Sequence, residues 1–368
     1  MKFTCEKQFL QTAVATSSRA AASKSPNEEL EGLLLEAGES LRVTGYDLKK
    51  GIYSKIDADV KEPGSIVLDA KLFGEMVRRM EDGIVTISVD DKLITTVKCG
   101  KTEFSFVGMD PENYPELPSV EGQKSFSISQ PVLKKMINQT AFAISTNDSR
   151  PVYTGSMFEI DNGVITVVSV DGFRLALRKE KIEGADENAS FIVPGTALND
   201  IERICSANEE DMINISVGAN HVSFTVDNTV IVTRLLEGDF LNYKKAIPAQ
   251  FKHTVKVGRT ELLRAVDRVS LIVSEKTRNP VCMTFGEGII DCKCSTPIGN
   301  AEDICICEGS GEELEIGFND KYIMDALKAA PADELFVCLN TGASPCILLP
   351  ADGSDSFKYM ILPIKLRK

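Results

Sequence analysis

The sequence predicts an α+β protein assembled from three tandem copies of one unit, each with two helices and roughly eight strands. Three observations predict it. First, an alternating strand running into a helix-period stretch recurs as KFTCEKQFLQTAV, SFSISQPVLKKMI and TVKVGRTELLRAV. In each copy an apolar strand residue precedes a helix leucine by the same interval: Phe3 and Leu10, Phe126 and Leu133, Val255 and Leu262. Second, the stretches beginning VTISV and INISV share an I-S-V strand and an Asn-Tyr ending after an acidic turn. Ile87 matches Ile215 and Tyr114 matches Tyr243. Third, ELFVCLNTGASPCILLP followed by FKYMILPIKL keeps the same order of strands.

Taken in order, each unit opens on a strand and a helix, and a second helix follows a later strand: LDAKLFGEMVRRM, VPGTALNDIERIC and FNDKYIMDALKAA. One unit therefore reads β-α-β-β-β twice. The connections LPSVEGQKS and IPAQFKHT carry the Pro, Gly and polar residues of linkers, which sets domains at 1–119, 124–248 and 253–368. Apolar positions at intervals of three and four, namely Phe9, Leu10, Ala13 and Val14, then Leu133, Met136, Ile137 and Phe142, predict a helix stripe packed on a sheet.

At 368 residues the chain exceeds one ordinary core, and 43% apolar with 26% charged residues is a globular balance. No apolar run approaches the ~20 residues that cross a bilayer, and MKFTCEKQFL lacks a signal peptide's apolar stretch, so a cytoplasmic, membrane-free protein is expected. The ten cysteines lie mostly in strand-like runs, with Cys292/Cys294 and Cys305/Cys307 each predicted on one strand face. With only His221 and His253 as imidazoles, they read as small buried hydrophobes, and neither a metal nor a cofactor is expected. No phosphate-binding glycine loop, zinc-protease helix or serine elbow occurs, and neither NHVSF nor FKHTV has a cysteine or serine elbow nearby; no catalytic residue is expected.

The net charge of −13 argues against nucleic acid until its distribution is considered. The six helix-period windows together carry +5, leaving −18 for the rest of the chain. An acidic protein can thus show a mildly basic surface made only of helices.

The stretches SRPVYTG, VDGFRLAL, EGDFLNY, IGFNDKYIMDAL and the terminal YMILPIKL, in that order, resemble the bacterial DNA polymerase sliding clamps, the beta subunits of the replicative polymerase. VDGFRLAL is similar to that family's D-G-x-R-L-A signature and the ending to its Y-x-x-x-P-x-x-L tail. The resemblance covers the whole chain. It implies three DNA-clamp domains per chain and six per ring in a head-to-tail homodimer, with helices lining a hole that encloses duplex DNA. It implies no enzyme activity. It implies a processivity factor that slides without reading sequence and tethers the polymerase III catalytic subunit, the clamp loader and other motif-bearing proteins, among them repair polymerases, mismatch-repair proteins and ligase.

By that match a partner-peptide groove is expected from Tyr153, Val170, Gly172, Phe173, Arg174 and Leu175, from Leu241 and Lys245, and from Asn319, Tyr322, Pro345, Met360, Ile361, Leu362, Pro363, Ile364 and Lys365. The chain departs from the family at Phe173, often His, at Tyr153, often Leu, at Leu241, often Pro, and at Thr277, often aromatic. Phe and Tyr would narrow the groove, and Arg367 and Lys368, beyond the usual terminal leucine, would add a contact to acidic peptide flanks. DNA contact is expected from Lys24, Asn147 and Arg150 in loops and from Arg78, Arg79, Lys134, Lys135, Arg264 and Arg268 on helices. The dimer contact is expected to join Phe104 and Phe106 to Leu271 and Ile272.

Overall fold

The computed structural model describes every residue except 121–123, 183–186, 274–278, 310–312 and 367–368. Thr277, Arg367 and Lys368 therefore lie outside the described residues. The first repeat runs β1 (Lys2–Glu6), α1 (Lys7–Ser17), β2 (Gly32–Ala37), β3 (Leu41–Tyr46), β4 (Lys50–Ile56), β5 (Asp59–Glu62), β6 (Gly64–Asp69), α2 (Ala70–Arg79), β7 (Ile84–Val89), β8 (Ile94–Cys99) and β9 (Thr102–Val107). The second runs β10 (Lys124–Ser129), α3 (Gln130–Thr140), β11 (Gly155–Asp161), β12 (Val164–Val170), β13 (Arg174–Lys181), β14 (Ala189–Pro194), α4 (Gly195–Ile204), β15 (Met212–Val217), β16 (His221–Val226) and β17 (Thr229–Arg234). A short α5 (Tyr243–Ala246) leads to the third: β18 (His253–Gly258), α6 (Arg259–Ser270), β19 (Val281–Phe285), β20 (Ile289–Thr296), β21 (Gly299–Glu308), β22 (Leu314–Phe318), α7 (Asp320–Ala329), β23 (Glu334–Leu339), β24 (Cys346–Pro350) and β25 (Phe357–Ile361). The first repeat carries one strand more than expected, because DVKE folds back as β5 and pairs with β1.

The described residues form two compact units, Met1–Pro131 with Asn199–Leu235, and Val132–Leu198 with Leu236–Lys368. In the first unit, one antiparallel sheet runs β5-β1-β7-β8-β9 and another runs β10-β15-β16-β17-β4-β3-β2-β6. The second unit has one sheet, β14-β11-β12-β13-β25-β24-β23-β18-β21-β20-β19-β22. Both long sheets cross a repeat boundary: β17 pairs with β4 from Thr229↔Ser54 to Thr233↔Lys50, and β13 pairs with β25 from Arg174↔Ile361 to Arg178↔Phe357.

The helices follow from spacing. α1 buries Leu10, Ala13, Val14 and Ser17, and α6 buries Leu262, Ala265, Val266 and Val269, the same offsets in both. Phe9 corrects the sequence reading. It sits one residue outside that stripe, about 100° round the helix, and is 51% exposed. Phe142 lies beyond the end of α3, in the turn at 141–143, where it packs half-buried against the core. Two of the second helices start on a strand-end cap. Asp69 Oδ1 accepts from Leu72 N at 2.6 Å to open α2, and Asn319 Oδ1 accepts from Tyr322 N at 3.2 Å to open α7.

Nine of the ten cysteines are buried and Cys282 is half-buried. Cys292, Cys294, Cys305 and Cys307 all enter the core under α6 and α7, the pairs on one face each as alternation requires. Burial pushes the Cys292 thiol up to about 12 and the Cys305 thiol up to about 11, so they stay protonated and pack as small hydrophobes.

At the β4–β17 join, Lys50 on β4 and Asp200 on α4 are both almost fully buried and hydrogen-bonded to each other, with Arg19 Nη1 at 3.6 Å from the same carboxylate. Lys50→Met would leave Asp200 with only the longer contact. We expect it to destabilise the first unit by about 3 kcal/mol in urea unfolding, with Lys50→Met/Asp200→Leu recovering most of the loss. A single mutant as stable as the parent would show that the pair carries no structural weight.

Candidate partner-binding groove and basic faces

The groove residues of the second unit come together through one two-faced strand. In β25, Phe357, Tyr359 and Ile361 face the core beneath α6 and α7, whereas Met360 faces the other side of the sheet. There Met360 joins Val170, Leu175, Leu177, Tyr243 and Ile347 in a separate buried cluster, against which Tyr153 and Leu241 pack. Tyr153 stands edge-on to Phe240, ring centroids 5.6 Å apart. Phe240 and Ile347 were not among the residues expected; Ile347 lies on β24, where only the register decides its face, and Phe240 lies in the connection before α5.

Beyond β25 the tail crosses two neighbours. Leu362 N donates to Phe173 O and Ile364 N donates to Gly317 O, each at 2.8 Å. Pro363, which has no donor, falls between these two bonds, where none is required. Gly317 permits the crossing, since a Cβ there would stand 3.0 Å from Ile364 O and 2.7 Å from Leu366 Cδ2. So the tail is part core strand and part exposed lip, with Leu362, Pro363 and Ile364 half-buried and Lys365 exposed.

Gly172, at φ +93°, turns the chain between β12 and β13 in a conformation a side chain resists. The turn presents Phe173, 58% exposed, stacked on Tyr322 with centroids 6.1 Å apart. Arg174 anchors the corner. Its Nε donates to Asp171 at 2.9 Å, its Nη1 donates to Asp325 at 2.6 Å, and its guanidinium lies 4.5 Å from the Tyr322 ring centroid. Asp325 was also missed by the sequence reading. Its interval of three from Tyr322 puts both on one face of α7, which was the available signal. Asn319 caps α7, Pro345 is half-buried just before β24, and Lys245 is exposed on α5.

The expected DNA residues are dispersed. In the first unit Lys24 is exposed in the loop after α1, while Arg78 and Arg79 end α2 and share Glu75, at 2.7 and 2.9 Å. In the second, Lys135, Asn147, Arg150 and Arg264 are exposed and Lys134 is half-buried. Arg150 lies over the Tyr153 ring at 5.7 Å. Arg268 is hydrogen-bonded to Asp303 of β21, and that bond holds the Asp303 carboxyl below the usual carboxylate range.

Of the expected dimer residues, Phe104 and Phe106 are half-buried against their own core because alternation turns them inward on β9. Val107, 72% exposed, is what that edge presents outward. In the second unit Ile272 packs on its own core, whereas Leu271 is exposed. The neighbouring β21 pairs with β18 only through Cys307 and Glu308, and it exposes Ile304 and, at 80%, Ile306. Those two isoleucines were not among the expected residues.

Family models cover nearly the whole chain: DNA polymerase III beta subunit N-terminal domain over residues 1–118, central domain over 127–242 and C-terminal domain over 244–365. The chain belongs to the beta sliding clamp family. It is 34% identical to the beta sliding clamp of Halalkalibacterium halodurans over 381 residues, covering 99% of this chain and 100% of that one. A DNA polymerase sliding clamp from Bacillus subtilis superposes with TM-score 0.96 at 30% identity, covering 100% of both chains. A sliding clamp from Pseudomonas aeruginosa bound to griselimycin superposes with TM-score 0.94 at 25% identity, again over 100% of both. Sliding clamps are non-enzymatic processivity factors of DNA replication, and this chain is one of them. Among the described residues no helix is long and apolar enough to cross a membrane.

Arg174→Ala would leave Asp171 and Asp325 facing one another without their shared cation. Urea unfolding is expected to show a loss of about 3 kcal/mol, only partly restored by Arg174→Lys, which keeps the charge but not the planar fork. Full restoration by lysine would reduce the corner to simple charge neutralisation.

Proposed function

We propose that two copies of this chain close head to tail into a ring of six repeats, built from residues 1–119, 124–248 and 253–368 of each. The ring encircles duplex DNA and holds its partners through the groove around Met360. The observation that carries the ring is that, among the open strands of the described residues, two unlike ones expose large apolar side chains. One is β9 in the first unit, with Val107, and the other is the stretch of β21 that pairs with β20 on one side and exposes Ile304 and Ile306. An open strand with exposed apolar residues invites pairing, and a second copy supplies the cover. Because the two edges differ, the contact is heterologous, and it ends in a closed dimer only if a two-fold relates both joins.

The modest helix charge suits this reading. Tight phosphate contacts add affinity and friction, and base contacts fix register; a sliding ring is served by neither. Lys24, Asn147, Arg150, Lys134, Lys135 and Arg264 are the leading DNA-facing candidates, with Arg78, Arg79 and Arg268 behind them, since Glu75 and Asp303 already engage these. The groove is an apolar floor with a polar rim, the form in which short linear motifs gain affinity from a few anchors. Its partners are the polymerase III catalytic subunit, the clamp loader and other proteins carrying such a motif, met on DNA in the cytoplasm.

Two measurements test this. Protein loaded on nicked circular DNA should stay bound through a salt wash and leave once the circle is linearised; equal loss from both forms ends the encirclement reading. The solution mass should be twice 40.2 kDa. For the groove, a chain truncated after Tyr359 should bind a glutamine-leucine-type clamp-binding peptide at least ten-fold more weakly than the full chain. Equal binding removes the tail from the site.

A further inference from the structure

The first and second repeats carry a glutamate at one equivalent strand position and treat it differently. Glu36 of β2 and Glu159 of β11 each stand four residues after the glycine that opens the strand, and each is the register partner of a serine, Ser65 and Ser190. In the linker that follows each repeat, Tyr114 and Tyr243 come directly after an asparagine. In the second repeat the Tyr243 hydroxyl and Lys244, the latter at 2.6 Å, both donate to Glu159. In the first, Tyr114 Oη instead donates to Thr44 O at 3.3 Å, and Pro115 stands where the second repeat has Lys244. Glu36 therefore has neither donor.

A cavity of about 480 Å³ lies there, on the face of β2 and β3 opposite the core. Leu34, Glu36, Arg42 and Thr44 line it from the sheet, where Leu34 pairs with Thr44 and Glu36 with Arg42. From the linker, Tyr114 and Leu117 add an apolar side, and the exposed Glu112 and Glu116 add two more carboxylates. Three carboxylates thus face one cation. That cation is already engaged: the Arg42 guanidinium lies 4.1 Å from the Tyr53 ring centroid, and its Nε is 3.8 Å from Glu36, beyond hydrogen-bond reach. A second observation is independent of charge. Thr44, 2% exposed, lines the cavity, and its Oγ1 has no hydrogen-bond partner among the described residues. The second repeat places Val168 at the equivalent register position, so the fold does not require this hydroxyl. A buried hydroxyl without a partner is a cost that a bound polar group removes.

We propose that this cavity binds an aliphatic primary ammonium, the group that Lys244 supplies to Glu159 in the second repeat. Its methylenes lie on Leu34, Tyr114 and Leu117, and its head donates to Glu36 and to Thr44 Oγ1. An ammonium has three N–H donors and no acceptor, which matches a carboxylate beside a hydroxyl oxygen. The excess of carboxylates over Arg42 disfavours an anion. The ammonium is carried by a lysine side chain of another protein or by a free polyamine.

The test uses the full chain and saturation-transfer NMR titrations at low salt with two matched pairs of probes. These are pentylamine against pentanol, and acetyl-lysine amide against acetyl-norleucine amide. At least one amine should bind about three- to ten-fold tighter than its neutral twin, and ~0.5 M salt should shrink the difference. Thr44→Val, which copies the second repeat, should weaken the amine about three-fold without lowering the melting temperature. Glu36→Gln should erase the preference by removing the charge, and Pro115→Lys by supplying an ammonium from within. Binding of the lysine amide assigns the site to a protein lysine, and binding of pentylamine alone assigns it to a free polyamine; both uphold the proposal. A parent chain that binds each amine no better than its twin overturns it. So does a preference that survives both Glu36→Gln and Thr44→Val.

Discussion

Edge-to-edge strand pairing across repeat boundaries is the constraint on which the rest depends. A repeat of this kind cannot satisfy the backbone of its outer strands alone, and an unpaired edge is both costly and prone to aggregate. β17 answers this by pairing with β4, and β13 by pairing with β25. Each join turns two short sheets into one long one. Side chains that are remote in sequence, such as Leu175 and Met360, then become register partners on one face. The first join is also pinned at its side by the buried pair Lys50 and Asp200, with the exposed Arg19 beside it, a charge group whose members come from two repeats.

The candidate groove is a by-product of the second join. With a period of two, β25 sends Phe357, Tyr359 and Ile361 into one core, while Met360 and Lys358 serve the opposite face. Tyr359 is fixed in that core by edge contact with Phe142 at 5.2 Å and by a hydrogen bond to Ala329 O at 3.2 Å. The strand is therefore anchored where it meets the core, and the following half-buried Leu362-Pro363-Ile364 is tied by backbone bonds to Phe173 and Gly317. A firm floor beside a lightly tied lip is an arrangement in which a peptide can displace side chains without disturbing the fold.

Charge is spent locally before it can act at a distance. Arg78 and Arg79 share Glu75, Arg268 has Asp303, and Arg174 has Asp171 and Asp325. Of these, Arg268 meets a carboxylate from outside the helix windows, which lowers their positive balance and weakens any grip on a polyanion. For a member of a family that stays on DNA by topology, weakness of grip is consistent with free sliding.

The sequence by itself determined the repeat, the order of its elements, the helix stripes and the family. Each of these is written in short-range periodicity: intervals of two on strands, of three and four on helices, and one strand-to-helix interval repeated from Phe3 to Leu10 and from Val255 to Leu262. It also made the tail's division legible, because a proline after an alternating strand marks where ladder pairing ends. Tertiary structure alone decided the register across repeats. It placed Ile347 and Phe240 by Met360 and Tyr153, set Asp303 and Asp325 on arginines, turned Phe104 and Phe106 inward, and left Phe9 and Ile306 exposed. The physical reason is that periodicity names the two faces of an element but not which neighbour each face meets. That choice is made by strand pairing and packing between residues as near as Ile347 and Met360 or as distant as Leu175 and Met360.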